Sequence, residues 1–278
     1  MERKKLKTQL ILSWFSAIAV LAGITAATFA WFSFNGATNV EPMSSTISEG
    51  DASLLISNTS AGPFETECTL VFDSNPSSIS PVSTSDLTSF FRSTAQNRNG
   101  ISISYQNATT QISNYLMSGT LYLQSKGGTC RVYFLPSAVT VGTDAQSMAA
   151  LRLGMTFTID GQATTHVFRL DDLMSGTAAG TRTIPVSGNV VGSLGTDGSA
   201  NYVTDPAVTI SDYMAVENSG QSTKASAGTQ TLCTLTSGQI ATVQFWVYLE
   251  GCDDNCVQSV QSKEIPVRFG FAGIPEEE

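Results

Sequence analysis

Residues 242–249 read TVQFWVYL, and their alternation decides the fold class. Val243, Phe245, Val247 and Leu249 fall on one side of an extended chain, and Gln244, Trp246 and Tyr248 on the other. A period of two with β-branched and aromatic residues is the pattern of a strand packed on a core. The second side is aromatic rather than charged, so a loop or partner is expected to cover it. Residues 150–159, ALRLGMTFTI, repeat the pattern. Leu151, Leu153, Met155 and Phe157 point one way, while Arg152, Gly154, Thr156 and Thr158 point the other, as in a half-buried strand with a solvent face.

Working outward, similar short runs occur at 53–57, 68–73, 119–124, 131–135, 165–170, 182–186, 231–235 and 265–271, separated by Gly, Asn, Asp, Ser and Pro. Ten such runs predict a mostly β chain, a jelly-roll-like or other antiparallel β-sandwich with long polar loops. Residues 188–206 and 218–229 read as two of those loops. Helix is expected only at Thr84–Arg92, with Ser85 as cap, and at Ala108–Met117. No charged or Pro-rich linker divides the body, so residues 51–278 read as one extracellular domain.

The N-terminus is different in kind. A basic stretch, MERKKLK, precedes Leu10–Ala30, twenty-one residues without a charge. As a helix these would reach about 30 Å, one hydrocarbon thickness. Residues 1–30 therefore read as a signal peptide cut after Ala30 or as a retained transmembrane anchor, one hydrophobic helix in either case. A cut there leaves Thr28 two residues before the break, an imperfect match to an A-x-A site. Residues 31–50 are polar and turn-rich, a flexible arm or stalk.

Composition narrows the functions. The chain has 278 residues and a net charge of −9. Beyond Ala30 there remain 10 Lys and Arg against 22 Asp and Glu, or −12, which argues against a nucleic-acid partner. The single histidine, His166, rules out an HExxH site or a histidine dyad, and is expected to be structural or at the surface. Glu250, Asp253 and Asp254 read as a solvated acidic loop, with no DxDxDG calcium pattern. Asp171 and Asp172 follow the histidine strand. Asn58-Thr59-Ser60 and Asn107-Ala108-Thr109 match glycosylation sequons. No cofactor, metal site or catalytic residue is expected.

Five cysteines, Cys68, Cys130, Cys233, Cys252 and Cys256, all follow the leader. An extracellular setting permits disulfide bonds among them, with Cys252 and Cys256 flanking one turn. An odd number leaves one thiol over, expected to be buried.

The leader ending AATFAWFSFN, residues 26–35, resembles those of Gram-positive surface and matrix proteins cut by a dedicated SipW-type signal peptidase, the group of TasA and camelysin. The segments ALRLGMTF (150–157) and VQFWVYLEGCDDNC (243–256) resemble Clostridia-type surface proteins with the same leader. The resemblance covers about a fifth of the chain, in three islands. It implies a secreted or cell-surface structural protein, a fibre or biofilm-matrix subunit that self-assembles by β-strand addition. The donor would run from about Trp31 to Leu55, with Trp31, Leu54, Leu55 and the adjoining Ile56 as its apolar positions. Camelysin-like proteins are described as proteases, but without HExxH that activity is not carried over. The alternative is a membrane-tethered adhesin or carbohydrate-binding module, with Trp246 and Tyr248 as an aromatic platform for glycans. Residues 271–278, FAGIPEEE, carry no LPxTG-type sorting signal, so cell association is expected through the N-terminal segment, assembly or another surface protein.

Overall fold

The computed structural model describes residues 43–44, 52–76, 78–95, 103–139, 145–173, 189–193, 201–204, 206–218, 221–223, 229–251, 253, 256 and 268–276. The main strands are β1 (Ala52–Ser57), β2 (Phe72–Ser74), β3 (Met117–Gly127) and β4 (Cys130–Phe134). A short helix α1 (Ala145–Ala150) runs directly into β5 (Leu151–Ile159), which turns back as β6 (Gln162–Arg169). There follow β7 (Val208–Thr209), β8 (Cys233–Leu235), β9 (Ile240–Leu249) and β10 (Phe271–Pro275).

Seven strands form one sheet in the order β7-β6-β5-β9-β3-β1, with β2 also on β3. All its pairs are antiparallel except β6–β7, so the sheet is mixed and departs from the purely antiparallel expectation. A three-stranded antiparallel sheet has the order β8-β4-β10. The fold is mostly β with mixed sheets.

β9 is the centre of the larger sheet, and its register explains why its alternation is so clean. Phe245 stands opposite Met155 of β5, Val247 opposite Leu153, and Val243 opposite Leu121 of β3. These side chains join Val132 and Phe134 of β4, Leu235 of β8 and Phe271 of β10 in one buried cluster. Both sheets therefore contribute to a common core. On the other face of the large sheet Val82, Leu87, Phe90, Leu116 and Val167 close over Tyr248 in a second cluster. A central strand covered on both faces has no need of a polar side.

The β5–β6 turn is Asp160-Gly161, with φ of 49° and 79° and with Ile159 opposite Gln162. Two left-handed residues match the right-handed twist of a two-residue hairpin, and Asp-Gly meets that demand cheaply.

Several expectations need correction. Residues 84–90 are not helical. Thr84 Oγ1 accepts the N–H groups of Asp86 and Leu87, and Asp86 Oδ1 accepts those of Thr88 and Ser89. These bonds hold the backbone in consecutive side-chain-closed turns, and Leu87 takes a φ of 57°, incompatible with a continuing helix. Phe91–Ala95 instead pairs with Ile103–Asn107 as a hairpin. The second expected helix shrinks to a 3-10 segment, Thr109–Asn114. Within the two expected loops, Asn189–Ser193 pairs with Asn201–Thr204, and Val216–Asn218 with Gln221–Thr223. The last strand lies at Phe271–Pro275, beyond the expected 265–271 run, and residues 182–186 are outside the described residues.

Candidate functional site

The chemistry available for association is concentrated at the two edges of the large sheet. At one edge lies β1. It pairs with β3 from Ala52–Gly127 to Ser57–Tyr122. Leu54 and Ile56 are buried in the core, while Leu55 is half-buried on the other side. A β-carbon placed on Gly273 of β10 would come 2.8 Å from the Leu54 β-carbon, so only glycine lets β10 pass beneath β1. On its outer side β1 is held at one point. Ile56 N–H donates to the Glu65 carbonyl at 2.7 Å, and Glu65 N–H donates to the Ile56 carbonyl at 2.9 Å. The expected donor positions Leu54, Leu55 and Ile56 are thus part of the folded body, and Trp31 lies outside the described residues.

The opposite edge is β6. Its partner β7 covers only Phe168 and Arg169. Over Gln162–Val167 no strand among the described residues pairs on the outer side. Gln162, Ala163, Thr164 and Thr165 are exposed, and 162–168 (QATTHVF) carry neither a charge nor a proline. A groove of about 350 Å³ runs beside this edge, lined by Ser85, Asp86, Thr165, His166, Val167, Pro206 and Val208. His166 stacks on Phe168 at 5.6 Å and meets Tyr213 edge-on at 5.1 Å. Its Nε2 lies 3.3 Å from the Leu232 carbonyl. Burial lowers its pKa below the ordinary histidine value, with the Leu232 carbonyl pulling weakly the other way.

Tyr248 does not belong to a surface platform. It is fully buried, its ring edge-on to Phe90 at 6.2 Å, and Trp246 is half-buried against the same cluster. The cover expected over this face is supplied by the chain itself, through Val82, Leu87, Phe90 and Leu116.

The cysteines correct a second expectation, since no disulfide joins the described Cys68, Cys130, Cys233 and Cys256. Cys252 lies outside the described residues. Cys233 stands opposite Val132, and Cys130 opposite Leu235, so the two cysteines of the β4–β8 pair are diagonal neighbours. Diagonal neighbours lie roughly 7–8 Å apart, their β-carbons somewhat closer but still beyond the ~4 Å a disulfide needs. Burial raises the Cys68 and Cys130 thiols, and pushes Cys233 up to about 12 with help from the nearby Cys130. The expected transmembrane helix is also not found: among the described residues no helix is long and apolar enough to cross a membrane. The stretch Leu10–Ala30 is outside them.

Arg152 overturns the solvent face assigned to β5. Its guanidinium is buried, donating to the carbonyls of Ala149 at 2.6 Å and Leu151 at 3.1 Å, and to Asp253 Oδ2 at 2.7 Å. Asp253 and Glu250 are buried with it, not solvated, because the turn after β9 folds back onto the end of α1, where Glu250 N–H reaches the Ala150 carbonyl. A cation at this point satisfies the helix's last carbonyls and the carboxylate together. Asp171 is buried nearby, its pKa raised by burial against the pull of Arg169 and Arg152. Among the described residues no three His, Cys, Asp or Glu side chains converge as a metal site would require.

No family model, curated protein or solved structure matches this chain.

Proposed function

We propose that the chain is a secreted or cell-surface structural protein, a fibre or matrix subunit that assembles by exchange of its N-terminal edge strand. The observation that carries this reading is the placement of β1. It is the first strand of the large sheet and lies at its edge, and it buries Leu54 and Ile56 in the core. A neighbour's copy of the same strand would make the same contacts on β3, so exchange conserves the buried surface. The turn through Asn58–Gly62 is the hinge, and opening it breaks the two hydrogen bonds to Glu65 and the antiparallel pairing of Met43–Ser44 with Glu67–Cys68. Residues 31–50 travel with the donor and extend it. Because donor and acceptor are different surfaces, the contact is head-to-tail and propagates into a filament unless the rotation closes.

In this reading the two sheets around the shared core form a sandwich, residues 51–278 are one extracellular domain, and residues 1–30 are a leader removed by a dedicated signal peptidase. Catalysis has no part in it. Other surface proteins and glycans are further partners of an assembled matrix. The resemblance of residues 26–35 to SipW-type leaders supports the location. Burial of Tyr248 removes half of the aromatic platform that the adhesin reading relied on.

The test is negative-stain electron microscopy of the mature protein recovered from the cell exterior without denaturant. Regular filaments that disappear when residues 31–50 are deleted are expected. Single compact particles at high concentration, or filaments indifferent to the deletion, would overturn the reading.

A further inference from the structure

We infer that the open edge of β6 is a second interface, at which two copies of the chain pair β6 to β6, antiparallel, about a twofold axis at Thr164. The inference does not rest on strand exchange at β1, which concerns the opposite edge of the sheet.

An unpaired edge offers backbone donors and acceptors to any extended strand, and proteins that stay single blunt such edges with charge, proline, a bulge or a covering segment. Over Gln162–Val167 β6 carries no charge, proline or bulge, and no strand among the described residues pairs on its outer side. Its register with β5 runs unbroken from Gln162 to Arg169, and among the described residues the one strand paired on its outer side, β7, begins at Phe168. The lack of charge matters more because the chain carries a net −9. Two copies repel over most of their surfaces, and a neutral strand is where their backbones can approach.

The axis follows from two constraints. Directly opposed residues of an antiparallel pair share a face, so continuing the sheet with its cores on the same side pairs odd positions with odd and even with even. The pairing must also clear β7. Both are met when Thr164 stands opposite Thr164 of the second copy, Ala163 opposite Thr165, and Gln162 opposite His166. Threonine pairs are favourable cross-strand neighbours. The same register brings the small Ala163 of the second copy to the mouth of the groove beside Thr165 and Val167. Such a short pairing buries less than a standard interface, so the association is weak and reversible in solution.

A residue that meets itself across the axis permits a sharp test. Thr164 is exposed, so neither lysine nor glutamate there disturbs the fold. Wild-type protein, Thr164→Lys, Thr164→Glu and an equal mixture of the two variants are cleared of filaments by sedimentation. The supernatants are then compared by sedimentation velocity and native mass spectrometry up to near-millimolar concentration. Expected are dimers of the wild type, dimerisation weakened about tenfold or more in each variant alone, and lysine–glutamate heterodimers in the mixture. A monomeric wild type, variants that dimerise as well as wild type, or a mixture that restores nothing would each overturn the inference. Filaments missing from the pellet would count against exchange at β1 only.

Discussion

Replacing Arg152 by methionine tests whether the buried charges at the end of β5 act as the geometry requires. Arg152 and Asp253 side chains are each only 1 % exposed and meet at 2.7 Å. Removing the guanidinium leaves a carboxylate in the interior with its main counter-charge gone, and breaking such a pair costs about 3–5 kcal/mol. Asp253→Asn strands the cation instead and should fall in the same range. Arg152→Met with Asp253→Leu removes both charges and should recover most of the loss. What stays lost is the donor to the Ala149 and Leu151 carbonyls, about 1 kcal/mol each. The assay is equilibrium urea unfolding followed by tryptophan fluorescence. With an m-value of about 3 kcal/mol/M for a chain of this size, each single variant should lower the midpoint by roughly 1–1.7 M. A single-variant loss under ~1 kcal/mol, or a double variant as poor as the two losses added, would refute the reasoning.

Three further outcomes follow from the same structure. Neutral His166 is the form the fold prefers, since burial holds its pKa below ~6.5. Its contribution is complete above that pH and is lost as pH falls through the lowered value, so stability curves of wild type and His166→Phe should diverge only on the acid side. A pH-independent difference would contradict this. Cys233, pushed up to about 12, should react with a thiol reagent at pH 8 only after unfolding, since about one thiol in ten thousand is ionised. Rapid labelling of the native protein at Cys233, read by peptide mapping, would count against it. Gly154→Ala places a β-carbon 2.6 Å from Leu87 Cδ2, and Leu87 is itself buried. The overpacking should cost about 1–3 kcal/mol in the same urea assay, and no change would show that the 84–90 segment yields freely.

The strands that were legible in the sequence are those whose neighbours agree with their own alternation. Residues 243–249 and 151–157 sit side by side at the middle of the sheet, and their inward residues coincide in register. Where tertiary contacts override local pattern, the reading failed. Arg152 looked like a solvent-facing position because its partner, Asp253, lies 101 residues away in a turn that read as solvated. Residues 84–92 offer Ser85 as a helix cap, but the Thr84 and Asp86 side chains close turns there and Leu87 takes a left-handed φ. Asp160-Gly161 is a hairpin signal written in the sequence itself. The open edge of β6 was not legible, because edge or centre depends on which strands happen to flank it. Tyr248 read as a candidate contact because nothing in 242–249 reveals what lies above it.

The central claim is that β1 leaves its own β3 for that of a neighbour. Leu55 and Gln124 stand opposite one another in the β1–β3 pair, both half-buried and on the side away from the core. Replacing both by cysteine and oxidising dilute, unassembled protein ties the strand to its own body. Electron microscopy before and after adding reductant is the direct measurement. The account predicts single particles while the tie is intact and filaments once it is cut. Filaments from the tied protein, or none after reduction, would contradict it.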